Sequence, residues 1–134
     1  MIFVDTSAWY AAEVEDDVNH ESACQFLSKI ASREYGVAVT TDYVIDETLT
    51  LLRSRRDLSS ASGFLGKIRK SKSVRVFWVD EGLFERAAET FKKSSDKSWS
   101  FTDCTSFVIM KELRLRQALT TDHHFAQMGF ELIK

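Results

Sequence analysis

Apolar residues in this chain fall into short blocks, separated by longer stretches in which they return every third or fourth position. Ile2-Phe3-Val4 is a buried-strand signal that stops at Asp5. Thr6 to Val14 reads as a short helix. Ala23, Cys24, Leu27, Ile30 and Ala31 then recur at helical steps, with Gly36 as the stop. Val37-Ala38-Val39 predicts a second strand, and a helix from about Asp42 to Arg53 follows it. Ala61, Phe64, Leu65 and Ile68 mark another helix, weakened by Gly63 and Gly66. Val74 to Val79 predicts the third strand, and Leu83, Phe84, Ala87, Ala88 and Phe91 a further helix. The polar run Lys92 to Ser98 is a loop, after which a helix extends from about Thr102 to Arg114. Ala118-Leu119-Thr120 is a short fourth strand. A turn or two of helix through Phe125 ends near Gly129, and Phe130 to Ile133 closes the pattern as a strand.

Strands alternating with helices imply βαβ units and a parallel sheet covered on both faces. The 134 residues suit one domain, and no repeat or linker divides them. In such sheets the chemistry gathers beyond the carboxyl ends of the strands. The residues that follow each strand therefore matter most.

Three of them are aspartates. Asp5 follows the first strand, Asp122 follows the fourth, and Asp103 opens a helix in Ser100-Phe101-Thr102-Asp103. Each has a structural explanation, because aspartate is a favoured N-cap and Ser100-x-x-Asp103 loosely fits a capping box. Glu47 resists that explanation. It shares a helical stripe with Val44, Thr48 and Leu51, while Asp46 falls on a polar face with Thr50 and Arg53. A glutamate aimed into a half-buried cleft needs a partner cation or a raised pKa. If the four carboxylates converge, two charges about 4 Å apart repel by about 4 kcal/mol at an effective dielectric near 20. A bound dication relieves this and leaves the oxygens ionised. Hard oxygen ligands suit magnesium or manganese better than zinc. A cation so held activates water and neutralises a phosphodiester, so metal-assisted phosphodiester hydrolysis is the chemistry expected.

Bulk properties narrow the setting. A hydrophobic fraction of 44% with 28% charged residues is globular composition, and proline is absent. Cys24 and Cys104 have no metal or redox spacing and read as reduced thiols. The opening residues lack a basic region, and no apolar run approaches the roughly 18 residues that span a bilayer. A cytoplasmic protein without a membrane segment is expected. The net charge of −2 conceals a basic segment from Arg53 to Arg75, which includes Arg55, Arg56, Lys67, Arg69, Lys70 and Lys72 against a single acid, Asp57. It could meet phosphates or be a solvated face.

Four pieces of the chain, in order, resemble the PIN domain family and, within it, the VapC-type toxin ribonucleases of toxin–antitoxin systems. They are Phe3-Val4-Asp5-Thr6-Ser7-Ala8, Asp46-Glu47-Thr48-Leu49, Trp99-Ser100-Phe101-Thr102-Asp103-Cys104 and Leu119-Thr120-Thr121-Asp122-His123-His124-Phe125. The resemblance implies a three-layer α/β/α domain over residues 1–134, with a central parallel sheet of about five strands. It also implies an Mg2+- or Mn2+-dependent endoribonuclease, usually a homodimer, often paired with a small antitoxin. Carried over by position, Asp5, Glu47, Asp103 and Asp122 are the metal-binding and catalytic acids. Thr6 or Ser7 supports the metal shell, and Thr102 or Ser106 holds Asp103 in place.

Other readings remain in view. A haloacid-dehalogenase-type phosphatase also places an aspartate after its first strand, but it wants an acid two positions on, where Ser7 stands. A non-catalytic PIN-like module binding RNA or a protein would have no need of a repulsive acid cluster. His123 and His124 invite a zinc reading that lacks a cysteine or third histidine nearby. Cys104 as a nucleophile lacks a base and its orienting partner. Trp9, Trp78 and Trp99 read as core anchors, Trp99 being the one placed to contact a base. His20 reads as a histidine at the edge of the core.

Overall fold

The computed structural model describes residues 1–133. Among them, five strands form one parallel sheet: β1 (Ile2–Val4), β2 (Ala38–Thr41), β3 (Val74–Phe77), β4 (Gln117–Leu119) and β5 (Glu131–Ile133). Seven helices connect and cover them: α1 (Thr6–Glu13), α2 (His20–Ala31), α3 (Asp42–Arg55), α4 (Leu58–Lys70), α5 (Glu81–Lys92), α6 (Phe101–Glu112) and α7 (His124–Gln127). The architecture is the three-layer α/β/α sandwich that the alternation predicts.

Strand order β3-β2-β1-β4-β5 places the first strand at the centre. Phe3 stands beside Val39 on one side and Ala118 on the other. All three residues of β1 are buried, as a strand covered on both faces requires. The chain builds outward from β1 to β3, then crosses to build β4 and β5 on the opposite side. The order therefore reverses between β1 and β4, and a crevice opens beyond their carboxyl ends. Asp5 and Thr120 are the residues that immediately follow those two strands.

Aromatic packing fixes the layers. Phe107 of α6 meets Phe125 edge-on at 5.0 Å and Trp99 at 5.1 Å, and Phe125 lies 6.1 Å from Phe3 of the sheet. Trp9 of α1 packs against Phe64 of α4 at 5.8 Å. Burial of side chains this large contributes about 1.5–3 kcal/mol each.

Some boundaries differ from the sequence pattern. Helix α2 ends at Ala31, five residues before Gly36, because Arg33 already takes a left-handed conformation (φ 67°). Gly36 (φ 75°) makes the second left-handed turn, where a Cβ would lie 3.3 Å from the Met1 nitrogen. Gly63 and Gly66 stay inside α4 without breaking it. Trp78 corrects the expectation for the tryptophans: it is 75% exposed, whereas Trp9 is buried and Trp99 half-buried against the core. No helix among the described residues is long and apolar enough to cross a membrane.

Candidate metal centre

Asp5 is the N-cap residue of α1, yet its carboxylate makes no capping bond. Its backbone carbonyl receives the Ala8 and Trp9 N–H groups. The side chain instead accepts a hydrogen bond from Thr120 Oγ1 at 3.0 Å, from the far side of the crevice. At 4% exposure, burial pushes the Asp5 carboxyl up to about 7. The Thr6 backbone and Thr120 hydroxyl favour the ionised form, while the charges of Asp103 and Glu47 raise the pKa further.

Those two charges come from separate helices. Glu47 is half-buried on α3 between buried Val44 and Thr48, and Asp46 beside it is exposed, as the stripe predicts. Asp103 stands on the first turn of α6 in a complete capping box. Its N–H donates to Ser100 Oγ at 3.0 Å, and its Oδ2 accepts from the Ser100 N–H at 3.1 Å. Burial raises the Asp103 pKa and Asp122 raises it further, against the Ser100 backbone and His124. Asp122 Oδ1 accepts the His124 N–H at 2.9 Å. Asp5, Glu47 and Asp122 share the lining of one cleft of about 300 Å3 with Thr6, Tyr10 and Arg55. Asp103 acts on both Asp5 and Asp122 electrostatically. The four acids thus meet at the carboxyl end of the sheet.

Two further residues organise the site and escape sequence reasoning. Thr120 is fully buried, and its single hydroxyl hydrogen goes to Asp5. Its oxygen accepts the Asp122 N–H at 3.0 Å and is 3.1 Å from Ser7 Oγ, which must therefore be the donor there. Ser7 Oγ in turn accepts the Thr121 N–H. His124 bridges two acids: its Nδ1 lies 3.2 Å from Asp103 Oδ2 and 3.1 Å from Asp122 Oδ1. Nε2 of the same ring lies 3.1 Å from Ser98 Oγ. Asp122, His123 and His124 offer ligand atoms within 4.8 Å of one another. His124 Nδ1 is already shared between carboxylates, however, and the His123 side chain is 76% exposed.

Thr102 and Ser106 do not hold Asp103 as expected. The Ser106 hydroxyl donates to the Thr102 carbonyl one turn back, and Asp103 is held by Ser100 and His124. A polar residue at the right helical step is readily drawn to its own backbone. Trp99 packs edge-on against Phe107 and donates from Nε1 to Gln127, in keeping with its reading as a core anchor. His20 binds the Ala11 carbonyl at 2.7 Å, at the edge of the core as predicted. Burial pushes the Cys104 thiol up to about 11, which removes it as a nucleophile at neutral pH.

The fit of a cation can be judged from one orphaned atom. Thr6 is among the residues that line the cleft with Asp5, and its buried Oγ1 has no hydrogen-bond partner. Leaving such a group unpaired costs about 1–3 kcal/mol. A hydrated dication between the acids would supply the partner and stabilise the ionised Asp5 carboxylate.

Residues 2–131 match the PIN domain family. The chain belongs to it. A relative of this PIN domain, the 23S rRNA-specific endonuclease VapC20 of Mycobacterium tuberculosis, is 35% identical over 130 residues, 97% of this chain and 95% of that protein. The VapC ribonuclease of Archaeoglobus fulgidus is 28% identical over 114 residues, 84% of this chain and 72% of its own. The crystal structure of Mycobacterium tuberculosis VapC20, described as a sarcin–ricin loop cleaving toxin, superposes with a TM-score of 0.91. It is 33% identical and covers 100% of this chain and 99% of that one. These matches place the chain among the VapC-type ribonucleases of the family.

Proposed function

We propose that this PIN domain is a divalent-metal-dependent endoribonuclease, the toxin of a type II toxin–antitoxin pair, with Asp5, Glu47, Asp103 and Asp122 as its metal-binding and catalytic acids. The observation that carries the reading is the Asp5 carboxylate, buried, free of capping duty and crowded by Glu47 and Asp103. The donor set is carboxylate with the Thr6 and Ser7 hydroxyls nearby, which suits Mg2+ or Mn2+. When bound, such a cation supplies an activated water and neutralises the phosphodiester. Thr120 orients Asp5 for that task, and His124 aligns Asp103 with Asp122.

The relatives named for 23S rRNA and its sarcin–ricin loop make that loop the first RNA to try. A small antitoxin, a cytoplasmic setting and pairing of two copies belong to the same proposal. Exposed Phe84 and Phe91 support the pairing. Purified protein should cut a sarcin–ricin-loop RNA with manganese, and EDTA or Asp5→Asn should reduce cutting at least about a hundredfold, the scale of losing a metal's electrostatic stabilisation. Undiminished cutting by Asp5→Asn would falsify the assignment.

A further inference from the structure

The acidic cleft has an electrostatic problem that a dication only partly solves. Four carboxylates contribute up to four negative charges, and an RNA strand brings a further charge with every phosphate. A strand entering such a site needs a cation beside the metal. One is available. Arg55, on the last turn of α3, shares the cleft lining with Asp5, Glu47 and Asp122. Its guanidinium carbon lies 5.7 Å above the centre of the Tyr10 ring, which also lines the cleft. Among the described residues Arg55 takes part in no salt bridge. Its basic neighbours differ: Arg56 is paired with Asp16 at 3.3 Å and Lys67 with Glu13 at 3.0 Å. Asp17, the other acid in the lining, accepts the Asn19 N–H at 2.8 Å.

Resting on the nuclease reading above, we propose that Arg55, steadied on Tyr10, binds a non-reacting phosphate of the RNA strand in the cleft and positions the strand for cutting. The planar guanidinium matches two phosphate oxygens, and stacking on an aromatic face limits the freedom lost when it does so. Of the basic segment, this residue is the one the fold delivers to the acids; Arg56, next in sequence, points its charge into a different pair.

The test compares Arg55→Gln, Arg55→Lys and Arg56→Gln with the wild type on a sarcin–ricin-loop RNA and on an unrelated single-stranded RNA. Arg55→Gln should raise KM about tenfold with kcat nearly unchanged, the scale of one charged hydrogen bond at a partly exposed site. Its plot of log affinity against log salt, taken with calcium in place of manganese, should flatten by about 0.7–0.9, one phosphate contact. Arg55→Lys should recover part of both effects, Arg56→Gln should change neither, and none of the three should bind manganese more weakly than the wild type. A merely structural Arg55 would alter thermal stability without changing the salt slope. If the wild type cuts RNA and Arg55→Gln retains its KM and slope, the phosphate site is overturned and the nuclease stands. If the wild type neither binds nor cuts either RNA, both fall.

Discussion

A carboxylate raised to about 7 ties the metal binding proposed for Asp5 to pH. Free aspartate titrates near 3.8. Between these values the folded metal-free protein keeps a proton that the unfolded chain has released, so stability falls as pH rises through the window. The slope is at most about 1.4 kcal/mol per pH unit for one group. Below both values the burial no longer matters, and above 7 the loss is complete. A cation needs the ionised form, so binding must expel the proton. We expect calorimetry in buffers of differing ionisation enthalpy to find about one proton released per manganese at pH 6, from Asp5, and almost none at pH 8.5. Release that does not change with pH would contradict the buried Asp5 carboxyl. Asp5 was legible from its place after a strand, and Glu47 from its place on an apolar stripe. The competing capping role was also legible, and for Asp103 it is real: one side chain caps α6 and belongs to the acid cluster. Thr120 and His124 were not legible as organisers. A threonine at a strand end reads as a β-former, and the contact of His124 with Asp103 spans 21 residues of sequence.

Elements come together at the site through Thr120. Its hydroxyl joins the turn after β1, which carries Asp5 and Ser7, to the segment after β4, which carries Asp122. Hydrogen bonds along the β1–β4 ladder bring the two turns to the same height, since the Asp5 N–H donates to the Leu119 carbonyl. Thr120→Val keeps the shape and removes both the donor and the acceptor. The substitution should cost about 1–3 kcal/mol in a urea melt, because buried polar groups are left unpaired. It should also weaken manganese binding about 10–100-fold, the usual cost of losing a group that orients a ligand. Thr120→Ser should restore most of both, and Thr120→Val with wild-type manganese affinity would remove Thr120 from the site. Strand and helix types followed from periodicity because each element buries one stripe or a whole short run. Their ends did not, since α2 stops where Arg33 accepts a left-handed turn that a sequence reader would reserve for Gly36.

At the scale of the molecule, periodicity predicted the alternating α/β layers but not what remains on the surface. Phe84 and Phe91 satisfy the apolar stripe of α5, yet they are 40% and 45% exposed. With Phe101 of α6 they form a continuous aromatic patch, at 4.9 and 5.7 Å between ring centres, and Tyr43 of α3 extends it at 6.1 Å. Large exposed apolar groups gathered in one place mark a protein contact more often than scattered ones do. The stripe was readable, but its partner cannot be when that partner lies outside the chain. A second copy is the occupant the nuclease proposal calls for. Phe101 stands two residues before Asp103, so a copy seated on this patch would also buttress the start of the helix that presents one of the acids. Light scattering at tens of micromolar should return the mass of two chains for the wild type and of one chain for a Phe84→Glu, Phe91→Glu double variant. Both substitutions are on the exposed side of α5, so the variant should keep its helical circular dichroism. A wild type that stays monomeric at that concentration, or a double variant that still pairs, would move the interface elsewhere or remove it.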